Sequence, residues 1–149
     1  MKLNTKVRYG LRTMIELAMN SGESGLLQKD IAKRQGIPLK YLDKIIAQLK
    51  SAELIWNAAG KKSGYILARG SSKISVYDIY RAFEGKMAII NGVNENAQFY
   101  QDENFAGQEF WDKLNTEIEA ILIDKTLDKL ASRQKEINSE QVENLSYQI

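Results

Sequence analysis

The 149 residues contain no cysteine and no histidine. Without thiols there are no disulfides, no thiolate nucleophiles and no cysteine-held iron–sulfur clusters. Without imidazole the usual general base, the commonest metal ligand and the physiological-pH switch are missing. Ordinary zinc sites go with them. A catalyst would have to rest on Asp, Glu, Lys, Ser, Thr or Tyr alone. The nearest thing to paired carboxylates is Asp102-Glu103, adjacent acids in a polar stretch that read as solvated, so the sequence is read as non-enzymatic and without cofactor or metal. Proline occurs once, at Pro38. No stretch approaches the roughly 18 consecutive apolar residues that a membrane span requires. Met1-Lys2-Leu3-Asn4-Thr5-Lys6 offers neither an apolar h-region nor a small-residue cleavage site. The expectation is a soluble, cytoplasmic protein with no membrane partner.

Charge is abundant and unevenly placed. Through Gly85 fifteen Lys and Arg face seven Asp and Glu, a net of +8; from Lys86 onward six face twelve, a net of −6. Such asymmetry points to a basic module that meets a polyanion, joined to an acidic module with another task. The plainer alternative is solvated surface charge that happens to be segregated.

Spacing divides the basic half into elements. Thr5 is placed to cap a first helix whose apolar stripe is Val7, Leu11, Met14, Ile15 and Ala18, with Lys6, Arg8 and Arg12 off the stripe. Turn-formers from Asn20 to Gly25 end it. A short helix over Gln28–Gln35 buries Ile31 and Ala32, presents Lys29, Lys33 and Arg34, and stops at Gly36. Pro38 opens a third helix to about Ala52. Its inner face is Leu39, Leu42, Ile45, Ile46 and Leu49; its outer face holds Lys40, Tyr41, Asp43, Lys44, Ala47, Gln48 and Lys50. Two helices joined by a short Gly-containing turn form a helix-turn-helix. Leu54–Asn57 and Tyr65–Ala68 then read as strands around the basic turn Gly60-Lys61-Lys62-Ser63-Gly64. That turn lacks the GxxxxGK spacing of a phosphate loop and joins two strands. It is either a wing that reaches DNA or a hairpin tip kept soluble by lysine. Ser75-Val76-Tyr77-Asp78 has the form of a capping box, opening a helix that buries Val76, Ile79, Tyr80 and Phe83 and ends at Gly85. The fold class is mainly α with a small β-hairpin, a winged helix-turn-helix.

The acidic half begins with a polar connector, 86–107, whose Phe99, Tyr100 and Phe105 are expected to dock on the winged domain. Phe110, Trp111, Leu114, Ile118, Ile121 and Leu122 then give a helix with a broad apolar face. A face this apolar beyond a domain that already has its core needs a partner, and a two-fold homodimer is the commonest answer. Thr126 is placed to cap a short last helix with Leu127 and Leu130, and the polar residues after Ser132 are expected to fray. The expected organisation is a DNA-binding domain over 1–85, a connector over 86–107, dimerisation helices over 108–132 and a disordered tail over 133–149.

The chain resembles the small bacterial winged-helix regulators that include IscR, NsrR and CymR. The residues that carry the likeness start with Met1-Lys2-Leu3, Lys6, Arg8-Tyr9, Leu11 and Asp30-Ile31-Ala32. They continue with Gln35 to Leu39, Tyr41-Leu42, Leu49, Gly64-Tyr65, Leu67-Ala68 and Ile74 to Gly85. Phe110-Trp111, Thr126-Leu127 and Leu130 extend it to about Ala131. The resemblance implies a homodimeric, cytoplasmic transcription regulator that binds double-stranded DNA, here read as a repressor. It places the Pro38–Ala52 helix in the major groove, the wing at the minor groove, and the long C-terminal helix between subunits. Some members hold an iron–sulfur cluster through three Cys in the segment matching 92–104. This chain has none and resembles the cluster-free branch, signalled by a small molecule or a protein effector. The family wing usually begins Arg-Gly, whereas this one reads Ala59-Gly60-Lys61-Lys62-Ser63-Gly64.

For DNA reading the expected base contacts are Lys40, Tyr41, Asp43 and Lys44. The expected phosphate contacts are Lys6, Arg8, Arg12, Lys29, Lys33, Lys61, Lys62 and Ser63. Asp43 either accepts a bond from a base or merely complements its own helix N-terminus. Tyr41 also reads as half-buried packing. The expected dimer contacts are Trp111, Leu114, Ile118, Ile121 and Leu122. The rival reading is an interaction module that holds a metabolic enzyme or a small effector through its C-terminal half, with DNA binding secondary or lost.

Overall fold

The computed structural model describes residues 3–20, 22, 24–60, 63–85 and 105–148. Lys61, Lys62, Phe99, Tyr100, Asp102, Glu103 and all but the end of the 86–107 connector lie outside them. In chain order the elements are α1 (Thr5–Asn20), α2 (Gln28–Gln35), α3 (Leu39–Ser51), β1 (Ile55–Asn57) and β2 (Tyr65–Leu67). After a 3₁₀ turn at Ser71–Lys73 come α4 (Val76–Glu84), α5 (Ala106–Asp124) and α6 (Leu127–Tyr147).

One apolar core organises the winged domain. Met14 and Leu17 from α1, Ile31 from α2 and Leu42, Ile45, Ile46 and Leu49 from α3 meet in it, with Ile55, Ile74 and Ile79. Leu127, the first residue of α6, is fully buried in the same core. Its N–H donates to Ile74 O at 2.8 Å, and Val76 N–H donates to Lys125 O at 2.9 Å. The α5–α6 junction is thereby stitched to the start of α4. A second small cluster, Val7, Tyr77 and Tyr80, receives Ile118 and Leu122 of α5. Burial, then Glu84 and Tyr77, hold the Tyr80 hydroxyl above the ordinary tyrosine range.

Local chemistry explains the boundaries. Gly36 closes α2 in the left-handed region at φ 63° and ψ 33°. Pro38, at φ −57°, is the N-cap of α3. The Ser75–Asp78 capping box is reciprocal: Asp78 N–H donates to Ser75 Oγ at 3.1 Å and Ser75 N–H to Asp78 Oδ2 at 2.9 Å. The hairpin pairs Ile55 with Leu67, Trp56 with Ile66 and Asn57 with Tyr65.

Four expectations change. Asn4, not Thr5, caps α1, its Oδ1 accepting from Val7 N–H at 3.0 Å, with Thr5 already helical. Leu39 does not join the core: it is 54% exposed, standing at the first position of α3, ahead of the turn whose inner face is buried. Phe105 does not dock; it is exposed at the start of α5. The residues after Ser132 do not fray. They continue α6 to Tyr147, since the stretch from Thr126 has no Gly or Pro and is rich in helix formers. Arg133 pairs with Glu136 at 3.1 Å and Glu140 at 3.2 Å along that surface.

A third, one-residue strand escaped the pattern. Leu26 bridges Tyr65, with Leu26 N–H donating to Tyr65 O at 3.0 Å and Tyr65 N–H to Leu26 O at 2.9 Å. Gly64 makes this approach possible, because a Cβ there would lie 2.3 Å from the Leu26 carbonyl carbon. Gly64→Ala is expected to destabilise the protein by roughly 1–3 kcal/mol in urea unfolding. Gly70→Ala, with open space around the new methyl and φ −56°, should stay within about 0.5 kcal/mol. Equal losses at the two positions would contradict this account of the wing base.

Candidate nucleic-acid interface

Burial on one side of α3 dictates what the other side offers. With Leu42, Ile45, Ile46 and Leu49 in the core, Lys40, Asp43, Lys44 and Ala47 share the exposed face. Tyr41 lies on the flank of that face, half buried. Its ring meets Tyr9 of α1 edge-on, centroids 5.4 Å apart and planes at 84°. The contact fixes the start of α3 against α1.

Asp43 has a partner the sequence reading missed. The Gln28 side-chain amide, at the first position of α2, donates to Asp43 Oδ1. The bond spans the helix-turn-helix and leaves Oδ2 free to accept another donor. Leu39 is a second addition: an exposed apolar side chain beside Lys40, of the kind that can meet a thymine methyl group. No periodicity signals Gln28, since its role depends on a tertiary contact. Leu39 was masked by its match to the inner-face spacing.

The expected phosphate contacts divide four ways. Lys6, Arg8, Lys29 and Lys33 are exposed. Arg12 is exposed but engaged, its guanidinium donating to Gln35 Oε1 at 3.3 Å. Ser63 is half buried at the foot of β2, and Lys61 and Lys62 fall outside the described residues. Lys50 Nζ lies 5.8 Å from the Tyr65 ring, linking the end of α3 to the wing. Trp56, exposed on β1, adds an aromatic surface to the wing that was not anticipated.

Of the expected dimer contacts, Ile118 and Leu122 turn inward to the Val7–Tyr77–Tyr80 cluster of their own chain. Trp111 is partly covered, stacked edge-on with Phe110 at 5.2 Å. The exposed apolar residues of α5 are Phe110, Trp111, Ile121 and Ile123, of which Ile121 is 68% exposed, and Leu114 is half buried.

A helix-turn-helix with a charged outward face, followed by a hairpin wing, defines a winged-helix DNA-binding regulator. The comparisons agree. The profile of the Rrf2 family, described as an iron-dependent transcriptional regulator, matches residues 3–133, and the chain belongs to that family. The transcriptional regulator CymR of Bacillus subtilis (strain 168) is 33% identical over 132 residues, covering 89% of this chain and 91% of that protein. The solved structure of B. subtilis CymR, titled the global cysteine regulator, superposes with a TM-score of 0.76 at 32% identity, covering 89% and 98% of the two chains. T. potens IscR superposes with a TM-score of 0.68 at 35% identity, covering 89% and 88%. The protein is therefore a DNA-binding transcription regulator of the Rrf2 family and not an enzyme. No helix among the described residues is long and apolar enough to cross a membrane.

The family description mentions iron, so the donor set matters. Iron–sulfur clusters are held by Cys thiolates, with His replacing some in one class. This sequence has neither residue, and the donors for such a cluster do not fit.

Proposed function

We propose that this regulator is a cluster-free homodimer that recognises a two-fold operator through the outward face of α3 and acts as a repressor. The observation that carries the reading is the held geometry of that face. Its inner side lies in the core, Tyr41 leans on Tyr9, and Gln28 fixes Asp43. Side chains immobilised before binding lose less entropy when they meet base edges. Lys40 and Lys44 would donate to guanine acceptors, Asp43 Oδ2 would accept from a cytosine amino group, and Leu39 would pack on a thymine methyl. Tyr41 supports this set from the flank. Lys6, Arg8, Arg12, Lys29, Lys33 and Ser63 would meet phosphates, together with Lys61 and Lys62 of the wing.

Dimerisation follows from what α5 leaves uncovered. Ile118 and Leu122 anchor it to α4, while Phe110 and Ile121 stay exposed and Leu114 is half buried. A second copy applying the same residues would bury them and set two α3 helices about one helical turn of DNA apart. Effector control, by a small molecule or a protein, completes the reading.

Operator DNA selected by the protein from a random library tests the reading directly. Affinity should fall linearly on a log–log plot against salt, and Lys29→Ala or Lys33→Ala should each flatten the slope by about 0.9 without changing base preference. Asp43→Ala is expected to lose about 1–3 kcal/mol of discrimination at one base pair per half-site, at unchanged salt slope. Gln28→Ala should weaken discrimination at that same base pair; unchanged consensus sequences from both variants would remove the pair from base reading. Ile121→Asp should sediment as a monomer and lose operator affinity, and a stable dimer of this variant would contradict the α5 interface.

A further inference from the structure

We propose that the cleft between α1, the end of α2 and the middle of α6 is a binding site for a small organic carboxylate. The cleft has a volume of about 510 Å³, within the range of small-molecule sites. Two of its wall residues, Gln134 and Asn138, lie beyond residue 133, where the family match ends.

The pattern of α6 is the first argument. One stripe of the helix runs Leu127, Ala131, Gln134, Asn138, Val142 and Leu145. Leu127 and Ala131 are buried in the protein. The stripe then turns to two amides where it crosses the cleft, and becomes apolar again beyond it. Leucine at those two positions would close α6 onto Ile15 and Met19 of α1, as helix pairs ordinarily do. Amides keep the cleft polar instead. Gln134 donates to Asn138 Oδ1 at 3.0 Å, which aligns the pair along the wall.

Electrostatics gives the chemical class. Glu16, 7% exposed, is already satisfied: Oε1 accepts from the Gln35 amide at 2.6 Å and Oε2 from the Asn20 amide at 2.8 Å. Arg34 is ion-paired with Oε2 at 3.6 Å, longer than a direct hydrogen bond, so its guanidinium still has donors to offer. Arg12 contacts the neutral Gln35 carbonyl. Two guanidinium groups therefore face one committed carboxylate, and the cleft carries an excess positive charge with donors to spare. A planar guanidinium fork matches a carboxylate bidentately. Ile15 and Met19 offer an apolar wall for a short carbon chain, and the amides of Gln134 and Asn138 can orient its polar end.

The position of the cleft gives its consequence. Arg34 and Gln35 are the last residues of α2, and Gly36 and Pro38 lead directly into α3. A carboxylate held there ties α6 to the helix-turn-helix and draws Arg12 away from phosphate, so it lowers DNA affinity. This coupling rests on the phosphate-contact reading of Arg12; binding in the cleft does not.

Isothermal titration of the full-length protein with sodium propionate, succinate and glutarate, at ionic strength fixed with sodium chloride, tests the site. At least one should bind saturably, at one site per chain. Arg12→Gln and Arg34→Gln, checked for folding by circular dichroism, should each weaken it at least about tenfold. Asn138→Ala, on the exposed wall, serves as an independent variant and should also weaken it. No saturable binding by any of the three, binding unchanged in all three variants, or equal binding of sodium phosphate would overturn the carboxylate site. The ligand that binds should also lower operator affinity of the unmodified protein and not of Arg34→Gln. Saturable binding with unaltered operator affinity would uphold the site and overturn its coupling to DNA.

Discussion

The burial of one face of α3 is the constraint on which the rest depends. Leu42, Ile45, Ile46 and Leu49 go into a core shared with Met14, Leu17, Ile31 and Leu127. Each such side chain contributes roughly 1.5–3 kcal/mol of transfer free energy. That is far more than any surface ion pair in this chain supplies. The rotation of α3 about its axis is therefore set by leucine and isoleucine, and the charged residues take whatever direction remains. Lys40, Asp43 and Lys44 point outward together for that reason.

Around this fixed helix the structure adds local restraints. Tyr9 holds Tyr41, Gln28 holds Asp43, and Lys50 reaches over Tyr65 to the wing. The wing is tied at its base by the Leu26–Tyr65 bridge, which Gly64 permits. At the far side, hydrogen bonds between Ile74–Val76 and Lys125–Leu127 make the α5–α6 corner part of the winged domain. The same core thus positions the outward face of α3, proposed to read bases, and the helix proposed to pair subunits.

Elements governed by local chemistry were legible in the sequence. Gln28–Gln35 with its Gly36 stop, the Ser75–Asp78 capping box and the two strands of the hairpin all follow from neighbours in the chain. What the sequence concealed depends on contacts between distant residues. Thr13 and Glu16 are polar residues that no apolar spacing marks, yet both are buried: Thr13 Oγ1 donates to Tyr9 O at 2.8 Å, and Glu16 accepts from Gln35 of α2. Leu39 matched the inner-face spacing but stands at the helix start, outside the core. The length of α6 was hidden by weighting polarity above propensity. Its Arg, Gln, Lys and Glu residues form good helix without needing burial along the outer side.

The absence of cysteine offers the most direct test of the central claim, that the outward face of α3 lies in the major groove. Ala47, exposed between Lys44 and Lys50, can be changed to cysteine to give a single attachment point for an iron chelate that cuts nearby DNA. Bound to its selected operator, the labelled Ala47→Cys protein should cleave at two major-groove centres about 34–36 Å apart, one in each half-site. Cleavage spread evenly along the duplex, or none above free reagent, would contradict the account.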